Sequence, residues 1–250
     1  MASKAKKIYI FGIHSVEAVF FKKPELLIGI FVIEDTHNNR LKNLLNLFKK
    51  IKIPVNELNS KDFNKLAKFE KHQGIVALIN IPKFPSEIDL NLINFNSENR
   101  KLILILDSIQ DPRNLGACLR NAAAFNVDAV VINKDGSAPI NEYVFNSSVG
   151  AILHLNIFLA TNLSRTIRFL QKNNFWIIGL DGYGESKITS ENFPPKSVFV
   201  MGSEGKGIRK LVKDNCDQLI RIPISDEIES LNISVATGIA LYEFSKQQNT

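Results

Sequence analysis

The sequence predicts an α/β protein in two parts, a small N-terminal unit followed by a larger one built on a mainly parallel sheet. Three observations predict it. From Lys101 onward, continuous apolar runs alternate with helix-patterned segments, as a parallel sheet covered on both faces requires. Before residue 82, shorter apolar runs alternate with lysine-rich helical segments. Between them, "PKFPSEIDLNLINFNSENR" has prolines, many asparagines and weak periodicity, and reads as a linker with room for one short helix. The expected domains are therefore 1–81 and 101–250, joined by a linker at 82–100.

Element by element, "FGIHSVEAVFF" reads as a helix after a turn at Gly12, and "LIGIFVIED" as a strand. "NNRLKNLLNLFKKIK" places Leu41, Leu44, Leu45 and Phe48 at helical spacing against a lysine face. "IPVNEL" is a short strand, "SKDFNKLAKFE" a helix capped by Ser60, and "GIVALINI" a strand rich in branched residues. In the second part, "KLILILDSI", "DAVVIN", "FWIIGLD", "SVFVMG" and "QLIRIPI" are strands. "RNLGACLRNAAAFN" and "NLSRTIRFLQKNN" are helices between them. "LNISVATGIALYEFSKQ" is a closing helix, apolar on most sides, so burial is expected for it.

Composition narrows the function classes. The chain has 250 residues, 45% hydrophobic and 22% charged, which is ordinary for a globular protein. No apolar run approaches the eighteen or so residues of a membrane helix. The basic-then-apolar start is interrupted by His14 and Glu17, which argues against a signal peptide, so a cytoplasmic protein is expected. Cys118 and Cys216 are too isolated for a disulfide framework. The four histidines lack metal-ligand spacing, so no metal is expected. Residues 1–83 carry fifteen Lys or Arg against seven Asp or Glu, whereas the remainder carries sixteen against eighteen. That asymmetry points to a polyanion partner, nucleic acid first, with a solvated lysine face as the competing reading.

Ligands of parallel sheets bind at the carboxyl ends of strands, and three such ends stand out. In "DSIQDPRNLGACLRNAAAF", Arg120 shares a helix face with Gly116, Ala117, Ala123 and Ala124. Such small neighbours let a ligand or another segment approach a guanidinium closely, although a surface arginine on an alanine-rich helix fits too. Asn114, near the helix start, could be only a cap. In "VFVMGSEGKGIRKLV", the glycines lack the Lys-Ser/Thr of a Walker loop and come too late for a dinucleotide fingerprint. What remains is a turn whose backbone admits a ligand, with Glu204 set among Gly202, Gly205 and Gly207. In "IPISDEIESLNISVATGIALYEF", Ser230 stands at the expected helix start with Asn232 and Ser234 in the first turn. The positive end of that helix would suit a polar ligand.

Together these stretches resemble the three motifs of the SpoU family of RNA 2′-O-methyltransferases, in the SPOUT superfamily. The matching strings are "LDSIQDPRNLGACLRNAAAF", "VFVMGSEGKGIRKL" and "IPISDEIESLNISVATGIALYE", and the resemblance covers Lys101 to Gln248. "YIFGIHSVEAVF" and "KHQGIVALI" look like the substrate-binding domain of one branch, itself similar to small RNA-binding ribosomal proteins. Over its whole length the chain looks most like the bacterial branch that modifies a guanosine of 23S rRNA in the peptidyl-transferase region.

The resemblance implies a parallel sheet with a C-terminal trefoil knot, S-adenosylmethionine as methyl donor, 23S rRNA as partner and a homodimer. By motif position, Gly202, Ile222 and Leu231 would contact the cofactor, and Asn114, Arg120, Glu204, Ser230 and Asn232 would be the polar active-site residues. Glu204 would orient Arg120 or Asn114, or serve structurally. Cutting the chain near Pro82 is expected to leave cofactor binding intact and weaken RNA binding. The competing functions are a tRNA ribose methyltransferase and a non-catalytic RNA-binding protein on the same fold. A nucleotide hydrolase is disfavoured by the missing Lys-Ser/Thr.

Overall fold

The computed structural model describes residues 6–50, 53–67, 72–95 and 100–247. The chain forms two compact units, one of residues 1–83 with 140–154, the other of 84–139 with 155–250. The division differs from the linear one expected, because residues 140–154 fold with the first unit.

The first unit is a four-stranded sheet with helices. β1 (Lys7–Phe11) leads through Gly12 into α1 (Ile13–Lys22), then β2 (Leu27–Ile33), α2 (Asn39–Lys50), β3 (Val55–Leu58), α3 (Ser60–Leu66) and β4 (Ile75–Asn80). The spatial order is β1-β4-β2-β3, with β4 antiparallel to both neighbours and β3 parallel to β2. β1 is an addition to the sequence reading; its alternation of buried Ile8 and Ile10 with Lys7 and Tyr9 is that of an edge strand. The α2 face of Leu41, Leu44 and Phe48 is buried as its spacing predicts. Asn59, not Ser60, caps α3 by accepting from Asp62 N at 3.0 Å. Its expected continuation over residues 68–70 lies outside the described residues. The returning segment 140–154 supplies a helix at Glu142–Ser147, missed from sequence, whose Asn146 Oδ1 accepts from Phe11 N at 2.9 Å.

The second unit opens within the expected linker. A short 3₁₀ helix, Glu87–Leu92, begins with a capping box between Ser86 and Asp89, and Leu90 and Phe95 are buried. This part of the linker therefore belongs to the unit's core; residues 96–99 lie outside the described residues. Then come β5 (Lys101–Leu106) and α4 (Pro112–Ala124), followed by β6 (Ala129–Asn133). The helix at Glu142–Ser147 is α5; after it the chain returns with β7 (Ile157–Ala160), α6 (Leu163–Lys172), β8 (Trp176–Leu180) and β9 (Ser186–Lys187). β10 (Lys196–Met201), α7 (Lys210–Lys213), β11 (Gln218–Arg221) and α8 (Ile233–Lys246) complete it. Seven strands lie in the order β7-β6-β5-β10-β8-β11-β9, and every pairing is parallel. The all-parallel sheet follows from the continuous apolar runs. β7 and β9 were not legible, being edge strands of only four and two residues.

Strand alternation sorts the core. Ile103, Ile105, Val198 and Val200 pack with Leu163, Ile167 and Leu170 of α6. On the opposite face Phe199 meets Phe244 of α8 edge to face, with centroids 5.9 Å apart. Each such fully buried side chain contributes about 1.5–3 kcal/mol. α8 is not buried all round as expected: Thr237, Ala240, Leu241 and Phe244 are inside, but Val235 and Tyr242 are about half exposed, at 50% and 55%. Among the described residues no helix is long and apolar enough to cross a membrane.

Candidate active site

Three loops at the carboxyl ends of β5, β10 and β11 build the site within the second unit. After β5, Asp107 N donates to Met201 O at 2.8 Å, which joins the ends of β5 and β10. Asp111 caps α4 by accepting from Arg113 N at 2.7 Å, and Pro112 occupies its first turn. Asn114 is therefore not the cap, and its side chain is released for another contact.

After β10 the chain turns sharply through Gly202 to Gly207. Ser203 and Gly207 exchange backbone hydrogen bonds at 3.1 and 2.8 Å, closing the turn on itself. A Cβ on Gly202 would lie 2.0 Å from the Gly207 carbonyl carbon and 2.1 Å from Ile208 N, so no other residue fits there. Gly207 has φ +64°, in the left-handed region that favours glycine. The glycines thus have a structural cause, and their turn projects Glu204 outward.

After β11, an exposed loop leads through half-buried Ile222 and Leu231 to α8. Asn232, not Ser230, is the N-cap: its Oδ1 accepts from Ser234 N at 2.9 Å and from Ser234 Oγ at 2.6 Å. Ser230 is exposed two residues earlier and makes no hydrogen bond among the described residues.

These loops converge on one amide. Asn232 Nδ2 donates to Glu204 Oε1 at 2.7 Å and to Asn114 Oδ1 at 3.1 Å. Ile233 N adds a second donor to the same Glu204 oxygen, at 3.3 Å. Each of the three sequence stretches contributes one member to this cluster. The carboxylate sits at the free N–H end of α8, where the helix dipole favours negative charge. Glu204 therefore holds Asn114 through Asn232, and it makes no hydrogen bond or ion pair with Arg120.

Arg120 stands exposed on α4 with no ion pair or hydrogen bond among the described residues. The neighbouring side chains dock its helix. Asn121 Nδ2 donates to Ser234 O at 2.7 Å, and the Asn121 amide lies 3.3 Å from where a Cβ on Gly238 would stand. Buried Cys118 contacts Thr237 at 3.4 Å, and burial pushes its thiol up to about 11, leaving it protonated at neutral pH.

The structure adds residues that sequence reasoning passed over. Asp107 is fully buried, accepts from Arg209 N at 2.9 Å and Arg209 Nε at 2.7 Å, and so fixes the exit of the glycine turn. A carboxylate ending a continuous apolar strand was the available signal. Among the described residues no group of three His, Cys, Asp or Glu is placed to hold a metal ion.

Residues 101–242 match the model of the SpoU rRNA Methylase family, and residues 9–85 that of the RNA 2'-O ribose methyltransferase substrate-binding domain. The chain belongs to the SpoU rRNA methylase family. This SpoU chain is 40% identical over 240 residues to the 23S rRNA (guanosine-2'-O-)-methyltransferase RlmB of Haemophilus influenzae, covering 96% of this chain and 97% of that one. It is 42% identical over 239 residues to the protein of the same name from Photobacterium profundum, with the same shares covered. Its fold resembles that of the SpoU methyltransferase AviRb from Streptomyces viridochromogenes, solved in complex with the cofactor AdoMet. The TM-score there is 0.79 at 16% identity, over 97% of this chain and 91% of the other. All eight residues expected at the SpoU site fall within residues 101–242, six on the loops after β10 and β11 and two, Asn114 and Arg120, on α4.

Proposed function

We propose that the chain transfers a methyl group from S-adenosylmethionine to the ribose 2′-hydroxyl of a guanosine in 23S rRNA, releasing S-adenosylhomocysteine and the hydroxyl proton. The observation that carries this reading is the Asn114–Asn232–Glu204 cluster, which links all three motif loops at the strand ends. Near full-length identity to enzymes named for that reaction supports it.

The residues fit the cofactor. Gly205 and Gly207 face open space where a side chain would stand, and half-buried Ile222 and Leu231 offer apolar walls suited to an adenine ring. Gly202, Ile222 and Leu231 would hold it, and it supplies an electrophilic methyl group on a sulfonium. The chain's own residues would do the rest. In-line transfer needs the ribose oxygen aligned with the methyl carbon and sulfur. Neutral ribose is a poor nucleophile, so charge developing on its oxygen must be stabilised. Arg120, exposed and without an ion-pair partner among the described residues, is the residue proposed for that role and for holding a substrate phosphate. It does not act as a base, since a guanidinium stays protonated in proteins. Asn114, oriented by Asn232, and Ser230 would bond the ribose.

The same reading includes a trefoil knot around the C-terminal segment, a cytoplasmic location and a homodimer. Exposed Val235 and Tyr242 on α8 support the dimer. The deciding assay gives the purified protein labelled S-adenosylmethionine with 23S rRNA, 16S rRNA and tRNA separately. Label in 23S rRNA at a guanosine ribose is the expected result; label in tRNA alone overturns the substrate, and label in none overturns the catalytic reading.

A further inference from the structure

By count, residues beyond 83 carry slightly more acid than base, which draws attention away from them as a polyanion surface. Folding alters that picture. Helix α6 turns Thr166, Ile167 and Leu170 inward and leaves Arg165, Arg168 and Lys172 on one outer stripe. The α7 segment lies against it: Ser164 Oγ donates to Leu211 O at 3.1 Å, and Arg168 Nε donates to Asn215 Oδ1 at 3.2 Å. Two cations of this face are already neutralised, Arg165 by Glu87 and Arg209 by Asp107. Arg168, Lys172, Lys206 and Lys210 are exposed and form no ion pair among the described residues. Of the acids on the same face, Asp181 is paired with Lys213 and Asp217 accepts from Gln171 and Ile177 N, while Asp214, at the end of α7, is an exposed carboxylate outnumbered by the four cations.

Leu211 lies among these cations and is 74% exposed. An exposed aliphatic side chain on a segment that carries Lys210 and docks beside Arg168 suits a nucleic-acid strand, whose phosphates meet the cations while sugar and base faces cover the apolar group. Lys206 lies two residues beyond Glu204, so the face begins at the turn that enters the active site. We propose that α6, α7 and the Lys206 turn form an RNA-backbone track on the catalytic unit, which carries the substrate strand to the Asn114–Asn232–Glu204 cluster. This inference rests on RNA being the substrate.

The test uses the full chain carrying Arg168→Ala, Lys172→Ala and Lys210→Ala together. Binding of a 23S rRNA fragment is measured across a salt series, alongside S-adenosylmethionine affinity and thermal melting. Loss of about one unit of salt slope per phosphate contact is expected, so the slope should fall by about 2 to 3. At low salt, binding should weaken roughly tenfold or more, with cofactor affinity and melting unchanged. Wild-type slope and affinity in the triple variant would overturn the track while leaving the methyltransferase reading intact. A wild-type protein that neither bound nor methylated rRNA would overturn both. Loss seen only on protein-bearing ribosomal particles, with naked RNA unaffected, would assign the face to a protein and overturn the track.

Discussion

Asn232 donates its side-chain amide to Glu204 Oε1 at 2.7 Å, across 28 residues of sequence, and so fastens the glycine turn to the start of α8. The same side chain caps the helix through its oxygen. Replacing it removes a cap and a bridge at once. Asn232→Ala should cost about 1 kcal/mol of stability through the cap. Methylation should fall further than that, by roughly 100-fold, because Asn114 loses its orientation. Melting curves and single-turnover rates separate the two effects; equal small losses in both would reduce Asn232 to a cap.

Arg120 tests the chemistry itself. Arg120→Lys keeps the charge and removes the planar fork, so methylation should drop roughly 100-fold with S-adenosylmethionine affinity retained. Because the side chain is exposed, melting should not move. Near-wild-type turnover would show that a point charge is sufficient and that the fork has no part in the reaction.

The glycine turn allows a sharper structural prediction. Gly202→Ala drives a methyl group into the backbone of Gly207 and Ile208. Overpacking of this kind costs about 1–3 kcal/mol, or several degrees of Tm in a chain of this size. Calorimetry should show that loss together with weakened S-adenosylmethionine binding. Gly205→Ala, which meets no neighbour within 4 Å but has φ +75°, should cost less.

A fourth prediction concerns pH. Burial pushes the Glu87 carboxyl up, but hydrogen bonds from Thr161 and Arg165 outweigh it and hold the group at about 2, against an ordinary 4.5. A depressed folded value stabilises the protein above the ordinary range and loses that contribution as pH falls towards 2. The shift corresponds to at most about 3 kcal/mol, reduced by the exposure of Arg165 to solvent. Glu87→Gln should therefore destabilise the protein at pH 7, and the gap from wild type should narrow between pH 4.5 and 2. Urea denaturation at several pH values checks it; a gap independent of pH would rule out the charge as the cause.

Sequence made the large parallel sheet legible because five of its strands lie in apolar runs of six to nine residues. It hid β7, four residues at the sheet edge, and the Glu142–Ser147 helix, six residues whose partners in the first unit lie far away in sequence, as Phe11 does from Asn146. The site residues were legible as three separate loops, since polar groups at apolar strand ends stand out. Their connection was not, because it depends on which side chain caps α8. Ser230 and Asn232 are both good capping types, and only backbone geometry separates them. Asp107 escaped notice for a related reason: the residue that pairs with it, Arg209, lies 102 positions away.

The return of residues 140–154 to the first unit has a practical corollary for modular experiments on this enzyme. The polypeptide crosses between its units three times, near residues 83, 139 and 154, so neither unit is a contiguous piece of gene. A fragment starting at Phe84 would carry Val144, Phe145 and Ile152 into water without the β1 and α1 residues they fold with. Three large apolar side chains lost from cover amount to several kcal/mol, comparable with the whole stability of many domains. A cut near Pro82 would therefore leave residues 140–154 attached to the cofactor-binding unit without the strand and helix they fold with. A transplant of the first unit between relatives has to move two stretches of sequence together, 1–83 and 140–154, as one inheritable module.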